Sequence, residues 1–182
     1  MPLLIPAEVE TERLVLRQWR ESDLDAFAEM MADPEVTRYL VPPVPVDRLT
    51  SWRLLAMYVG HGVMRGYSHW AIELRETGEF IGRAGPWRPD GWPALELGWA
   101  IARRHQGRGY ATEAGKVALQ VSWERLKPDR LISLVRLGND ASVAVARRLG
   151  GRLTETIDFF GGPTQVFDYP APPGGPPGRQ VD

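Results

Sequence analysis

The chain has 182 residues, 43% of them hydrophobic and 25% charged, which fits one soluble domain with an ordinary buried core. A formal net charge of −1 supplies no global field toward nucleic acid or acidic membranes. The absence of cysteine excludes a disulfide scaffold, thiolate metal sites and a cysteine nucleophile; His61, His69 and His105 sit at no metal-ligand spacing, so no metal is expected.

The N-terminus lacks the basic region and long apolar run of a secretory signal, and no stretch approaches the roughly 20 apolar residues of a membrane span. A cytoplasmic protein is expected. Arg13 to Trp19 alternates as a first strand. Ser22 then precedes a helix carrying Asp23 and Asp25 early, where a helix N-terminus favours acids. Pro34 opens a second helical piece, and residues 41–46 (VPPVPV) form a rigid connector. Asp47 opens a further helix that is expected to close near Gly60 to Gly62.

From there the period changes to two. Trp70, Ile72 and Leu74 share one strand face, and Glu76 to Glu79 turn the chain into a second strand, Phe80 to Trp87. After the loop Pro86 to Pro93 comes a third, Ala94 to Ala102. The rest reads as a helix from about Gly109 to Leu126, a strand at Arg130 to Leu137, a helix at about Asp140 to Leu149, and strands at Arg152 to Phe159 and Thr164 to Tyr169. This order argues for a mixed α/β sheet with helices on both faces rather than a doubly wound parallel one. One domain covers 1–170; the Pro/Gly-rich tail, 171–182, has too little to bury and is expected to be disordered. Trp70, Trp87, Trp92 and Trp99, four of seven tryptophans, with Tyr67 nearby, read either as core or as a pocket wall.

The chemistry concentrates between residues 94 and 120. On the third of these strands Leu95, Leu97, Trp99 and Ile101 take one face, while Glu96, Gly98 and Ala100 leave the other bare except for one carboxylate. A face so small lets something thin lie against the backbone. Arg103, Arg104, His105 and Arg108 follow, directly before a helix N-terminus that already carries about half a positive charge. Such crowding becomes favourable if an anion binds, and Gly107 and Gly109 leave the backbone amides open to a phosphate. The alternative is a solvated turn whose arginines pair with acids elsewhere.

The order Gln106-Gly107-Arg108-Gly109-Tyr110-Ala111 resembles the acetyl-CoA fingerprint Q/R-x-x-G-x-G/A of the GNAT acetyltransferase superfamily, and it follows a strand and opens a helix as that motif does. It lacks the spacing of a Walker loop or a dinucleotide fold. Residues 11–27 (TERLVLRQWRESDLDAF) and 137–150 (LGNDASVAVARRLG) are similar to segments of the RimJ/RimL-type branch. The resemblance runs from about Thr11 to Tyr169. It implies a GNAT-like fold of about seven strands in which strands four and five splay around the pantetheine arm of acetyl-CoA. It also implies that Gln106, Gly107, Arg108, Gly109, Tyr110, Ala111 and Thr112 hold the pyrophosphate and that the backbone of Trp99, Ala100 and Ile101 pairs with pantetheine. Asn139 and Ser142 would approach the pantetheine and the thioester. Asn139 also reads as a plain helix cap, and Ser142 as a helix-surface hydroxyl.

The resemblance further implies an N-acetyltransferase acting on a primary amine, a protein N-terminus or a small molecule, by direct attack, with no nucleic acid or membrane partner. Dimers are frequent in the family, which leaves a homodimer open. Glu96 is the leading residue for the base, against a reading as a structural carboxylate beside the arginines; Glu73 and His69 come behind it, since both also read as facing solvent. Arg13, Arg17, Trp19 and the Trp-rich loop are expected to shape the acceptor site. Where many members carry an acidic tyrosine this chain has Ala146, and Gly151 stands where an aromatic is common. Ser142 is then the remaining acid. Ala146 keeps a second reading open, a non-catalytic acyl-CoA-binding sensor or assembly module.

Overall fold

Caps and alternation place the elements in the computed structural model, which describes residues 2–41 and 43–172. Two N-terminal strands, β1 (Glu8–Glu10) and β2 (Leu14–Arg17), lead into α1 (Leu24–Ala32), α2 (Pro34–Thr37) and α3 (Arg48–Arg65). Strands β3 (Trp70–Leu74), β4 (Phe80–Trp87) and β5 (Leu95–Ile101) form a meander, followed by α4 (Tyr110–Val121), β6 (Leu131–Arg136), α5 (Asp140–Arg148), β7 (Arg152–Asp158) and β8 (Pro163–Asp168). They build one eight-stranded sheet in the order β1-β2-β3-β4-β5-β6-β8-β7. Every neighbouring pair is antiparallel except β5–β6.

The expected count of about seven strands misses β1, a three-residue edge strand whose Glu-Val-Glu is too short and polar to show a pattern. With β1 counted, the splayed pair is β5 and β6. A second correction concerns α3, expected to end at Gly60 to Gly62. It continues to Arg65, and Gly66 at φ +77° supplies the left-handed cap. His61 and Gly62 are buried there, so packing overrides the weak helix propensity of glycine. The helix expected to reach Leu126 is α-helical only to Val121 and then relaxes into a π-turn, Ser122–Leu126.

Each sheet face carries its own core. On one side α4 and α5 bury Ala114, Ala118, Val121, Val145 and Leu149 against Leu14, Leu16, Trp70, Ile72 and Leu97. On the other, α1 to α3 bury Phe27, Met30, Met31, Leu55 and Tyr58 against Ala71, Phe80, Trp87 and Ala100. Gly115 lets α4 approach α5: a β-carbon there would lie 2.7 Å from Leu149 Cδ1.

The parallel seam is short. β5 and β6 pair only at Leu95 with Leu131 and Glu96 with Ile132, and then part. Ser133 Oγ on β6 donates to the Leu97 carbonyl at 2.6 Å and lies 2.9 Å from the Tyr169 hydroxyl. Because the serine's one proton is used on Leu97, Tyr169 is the donor to Ser133. This strut pins the strands where they diverge. Of the expected disordered tail, residues 173–182 lie outside the described residues, while Ala171 packs against the main core.

Candidate active site

Where β5 leaves β6, a cleft of about 520 Å³ opens. Its walls include Trp99, Ala100 and Ile101 of β5, Gln106, Gly107 and Gly109 of the following loop, Tyr110, Ala111 and Thr112 of α4, and Asn139 and Ser142 at α5. Ala102 N–H donates to Ile81 O on β4, so by strand parity Ala100 and Gly98 also turn their peptide groups toward β4. Trp99 and Ile101 turn theirs toward the gap. Ala100 therefore lines the cleft, but the free edge belongs to its neighbours.

The loop is held from beneath and open above. Gln106 Nε2 donates to Ile101 O at 2.9 Å, fastening the loop to the end of β5. Gly107 and Gly109 have φ of +76° and +84°, left-handed values that only glycine adopts freely. The first helical bond is Glu113 N–H to Gly109 O. Among the described residues, no protein acceptor takes the amides from Gly107 through Thr112. Unpaired amides at a helix N-terminus form an anion cradle.

The expected crowd of guanidinium groups around that cradle is corrected. Arg104 turns away, contacting Glu79 at 2.9 Å and Glu29 at 3.1 Å. Arg103 lies 3.9 Å from Asp33 while lining the cleft. Arg108 does not line the cleft, and its carbonyl anchors the loop: Arg13 Nη1 donates to Arg108 O at 3.0 Å. Arg13 also pairs with Glu113 at 2.6 Å and lies over the Tyr110 ring, so it clamps the loop rather than shaping an acceptor site. Burial works against the Glu113 carboxylate, but hydrogen bonds from Thr11 and Arg13 outweigh it and hold its pKa low. Arg13→Ala is expected to weaken acetyl-CoA binding roughly tenfold, the loss of about 1.4 kcal/mol of loop anchoring, with kcat at saturation preserved; isothermal titration and saturation kinetics check it.

At the seam itself lies a carboxylate that is not among the residues walling the cleft. Glu96 Oε2 accepts a 2.6 Å hydrogen bond from Trp92 Nε1. Burial raises the Glu96 pKa against the opposing pull of that bond and of the Arg83 charge. Trp92 in turn packs on Phe159 and Phe160, with centroids 5.1 and 5.4 Å away, so part of the Trp-rich loop does border the carboxylate. Trp87 instead belongs to the core under α3.

Four residues expected at the acceptor side or as weaker candidates for the base are engaged by other partners. Glu73 is consumed by Arg17 at 2.7 Å, and Arg17 is itself buried between Glu73 and Asp23. Trp19 packs on Phe27, Tyr58 and Phe80 and donates to His69 O. His69 is only 4% exposed. Arg83 Nη1 lies 2.7 Å from its Nδ1; a guanidinium only donates, so Nδ1 accepts and the proton sits on Nε2. Burial and the Arg83 charge hold the His69 pKa well below its ordinary value.

On α5, Asn139 is both cap and wall: its Oδ1 accepts from Ser142 N–H at 3.2 Å while it lines the cleft. Ala146 is fully buried. The ring of Tyr169 occupies the neighbouring space, since a β-carbon on Gly151 would lie 2.9 Å from both Ala146 O and Tyr169 Cε1. Burial raises the pKa of this tyrosine. Tyr39, Arg148 and Arg103 also line the cleft, and no local sequence pattern marks the first two.

The sequence model of the Acetyltransferase (GNAT) domain matches residues 13–152. The chain is 30% identical over 161 residues to the uncharacterized protein YkkB of Bacillus subtilis (strain 168), covering 87% of this chain and 92% of that one. It is 28% identical to the uncharacterized N-acetyltransferase p20 of Bacillus licheniformis, over 76% and 79% of the two chains. The crystal structure of an acetyltransferase from Agrobacterium tumefaciens str. C58 superposes with a TM-score of 0.81 at 33% identity, covering 91% and 94%. A RimL ribosomal L7/L12 α-N-protein acetyltransferase in complex with coenzyme A shares the fold at a TM-score of 0.73 and 20% identity, covering 91% and 96%. Matched across most of its length by both sequence and fold, the chain belongs to the GNAT acetyltransferase family and is an acyltransferase.

Proposed function

We propose that the protein moves an acetyl group from acetyl-CoA to a primary amine by direct attack. The observation that carries this reading is the run of unpaired amides from Gly107 to Thr112 at the foot of a cleft between parting strands. A diphosphate supplies the acceptors those amides lack, and an extended pantetheine supplies a partner for the free edge at Trp99 and Ile101. The residues present therefore fit the group. Acetyl-CoA, when bound, supplies an activated acyl carbon with a thiolate leaving group.

The protein's own part is positional and protonic. Gly107, Gly109 and the first turn of α4 hold the diphosphate, with Arg103 and Arg148 adding charge along the cleft. Asn139 keeps the start of α5 rigid, so Ser142 is presented to the cleft wall. Glu96 accepts the proton of the incoming amine, a role suited to a carboxyl whose pKa burial has raised. Ser142, on the cleft wall, is the group that would protonate the departing thiolate. The acceptor is a protein N-terminus or a small-molecule amine, and the proposed setting is the cytoplasm.

The test is a thermal-shift measurement with acetyl-CoA, followed by thiol release across a panel of amines and peptides. Acetyl-CoA is expected to raise the Tm, and at least one acceptor to release thiol. A flat Tm would remove the coenzyme assignment; binding without turnover on every acceptor would leave a non-catalytic module.

A further inference from the structure

A buried polar atom without a partner forfeits the hydrogen bond it had in water, so such atoms are few and call for a reason. Among the described residues His61 Nε2, Ser68 Oγ, His69 Nε2 and Arg83 Nε are all in this state and all lie between α3 and strands β3 to β5. His61 is tied by its Nδ1 to Tyr67 O at 2.7 Å, which makes its Nε2 an acceptor. His69 is the opposite case: with Nδ1 occupied by Arg83, its free Nε2 is a donor.

That donor is aimed. Gly85 and Gly98 face one another across β4 and β5. A β-carbon on Gly85 would lie 2.9 Å from His69 Cα, and one on Gly98 would lie 2.8 Å from His69 Nε2 and 3.8 Å from Glu96 Oε1. The imidazole thus crosses β4 over a bare glycine and ends on a second, beside the carboxylate. Glu96 Oε2 is already held by Trp92, which leaves Oε1 as the oxygen on the His69 side.

We propose that His69 is a positioning residue for Glu96: its Nε2–H takes Oε1 once the carboxyl is ionised, while Trp92 holds Oε2, so both carboxylate oxygens are fixed during proton transfer. This rests on the reading of Glu96 as the base. The Arg83 contact locks the tautomer that donates, and it prevents the imidazole from competing for the amine's proton. A donor to a carboxylate favours its ionised form, so His69 offsets part of the burial that raises Glu96. The ionisable and charged groups facing this pair are Arg83 from β4, Tyr58 and His61 from α3, and Tyr169 at the end of β8.

The test uses two replacements of similar size in the full chain, His69→Gln, which keeps an N–H donor, and His69→Met, which removes it. The Glu96 carboxyl is titrated by carbon NMR and compared with the pH profile of kcat/KM. His69→Met is expected to raise the Glu96 midpoint by about one unit, to move the acid limb of the profile with it, and to leave the KM for acetyl-CoA unchanged. His69→Gln is expected to stay close to the wild type in both. Equal Glu96 midpoints in the two variants overturn the proposal. So does a lower kcat in both with no movement of the acid limb, the mark of a packing role. If the wild type acetylates no amine, the acyl-transfer reading fails, and the NMR titration still decides whether His69 reaches Glu96.

Discussion

Glu96→Gln is expected to lower kcat by about 10²- to 10⁴-fold, the usual contribution of a positioned base, with the KM for acetyl-CoA unchanged. Glutamine keeps the acceptor for Trp92 Nε1 but takes no proton. The wild-type profile should therefore show an acid limb above the ordinary carboxyl range, because burial raises this group, and the variant should lose that limb. Stability moves the other way. A carboxyl whose folded pKa lies above its unfolded value stabilises the fold at low pH, and that contribution is lost as pH climbs from the unfolded toward the folded pKa. Above its folded pKa the ionised, buried Glu96 is a burden, so there the variant should melt no lower than the wild type, and its advantage should vanish once the pH falls below the carboxyl range. Activity retained within a few-fold would transfer the role of base elsewhere.

Much of the site was legible because it is local. The loop from Gln106 to Thr112, the bare face Glu96-Gly98-Ala100 and the cap Asn139 are contiguous strings whose backbone geometry follows from residue type. Most of the loop, Ala100 and Asn139 line one cleft, as their spacing implies, while Glu96 and Gly98 lie beside His69 outside its wall. The misreadings are all long-range. Arg13 finds Glu113 and the Arg108 carbonyl a hundred positions away, so its role as a clamp has no trace in its neighbours. Glu73 on β3 and His69 just before it fall on the face that alternation gives to surface residues. One is consumed by Arg17, and the other is buried under α3 because Gly85 and Gly98 make room for its ring. Tyr169 belongs to the last strand's end, yet it fills the space beside Ala146 and Gly151. The arginine cluster shows the limit of reading charge from sequence: three guanidinium groups fall within six residues, Arg103 to Arg108, and acids from α1 and the β3–β4 turn draw one of them away.

The loop assignment has its own decisive variant. Gly109→Val is expected to weaken acetyl-CoA binding by about 10²-fold, the equivalent of losing one or two charge-assisted hydrogen bonds to the diphosphate. The backbone there sits at φ +84°, a conformation that a β-branched residue adopts only with strain. To keep helical or extended values the valine must rotate its peptides, and those peptides carry the amides that face the anion. Protein crowding is not the cause, since a β-carbon at this position would meet only Arg13 Nη2, at an ordinary 3.5 Å. Gly78→Val separates strain from binding. Gly78 lies in the β3–β4 turn at φ +70° with nothing within 4 Å of a new β-carbon, so it should lose a comparable amount of Tm and keep its affinity for acetyl-CoA. If the two variants lose Tm alike and bind acetyl-CoA alike, the open amides of the α4 N-terminus are not where the diphosphate sits.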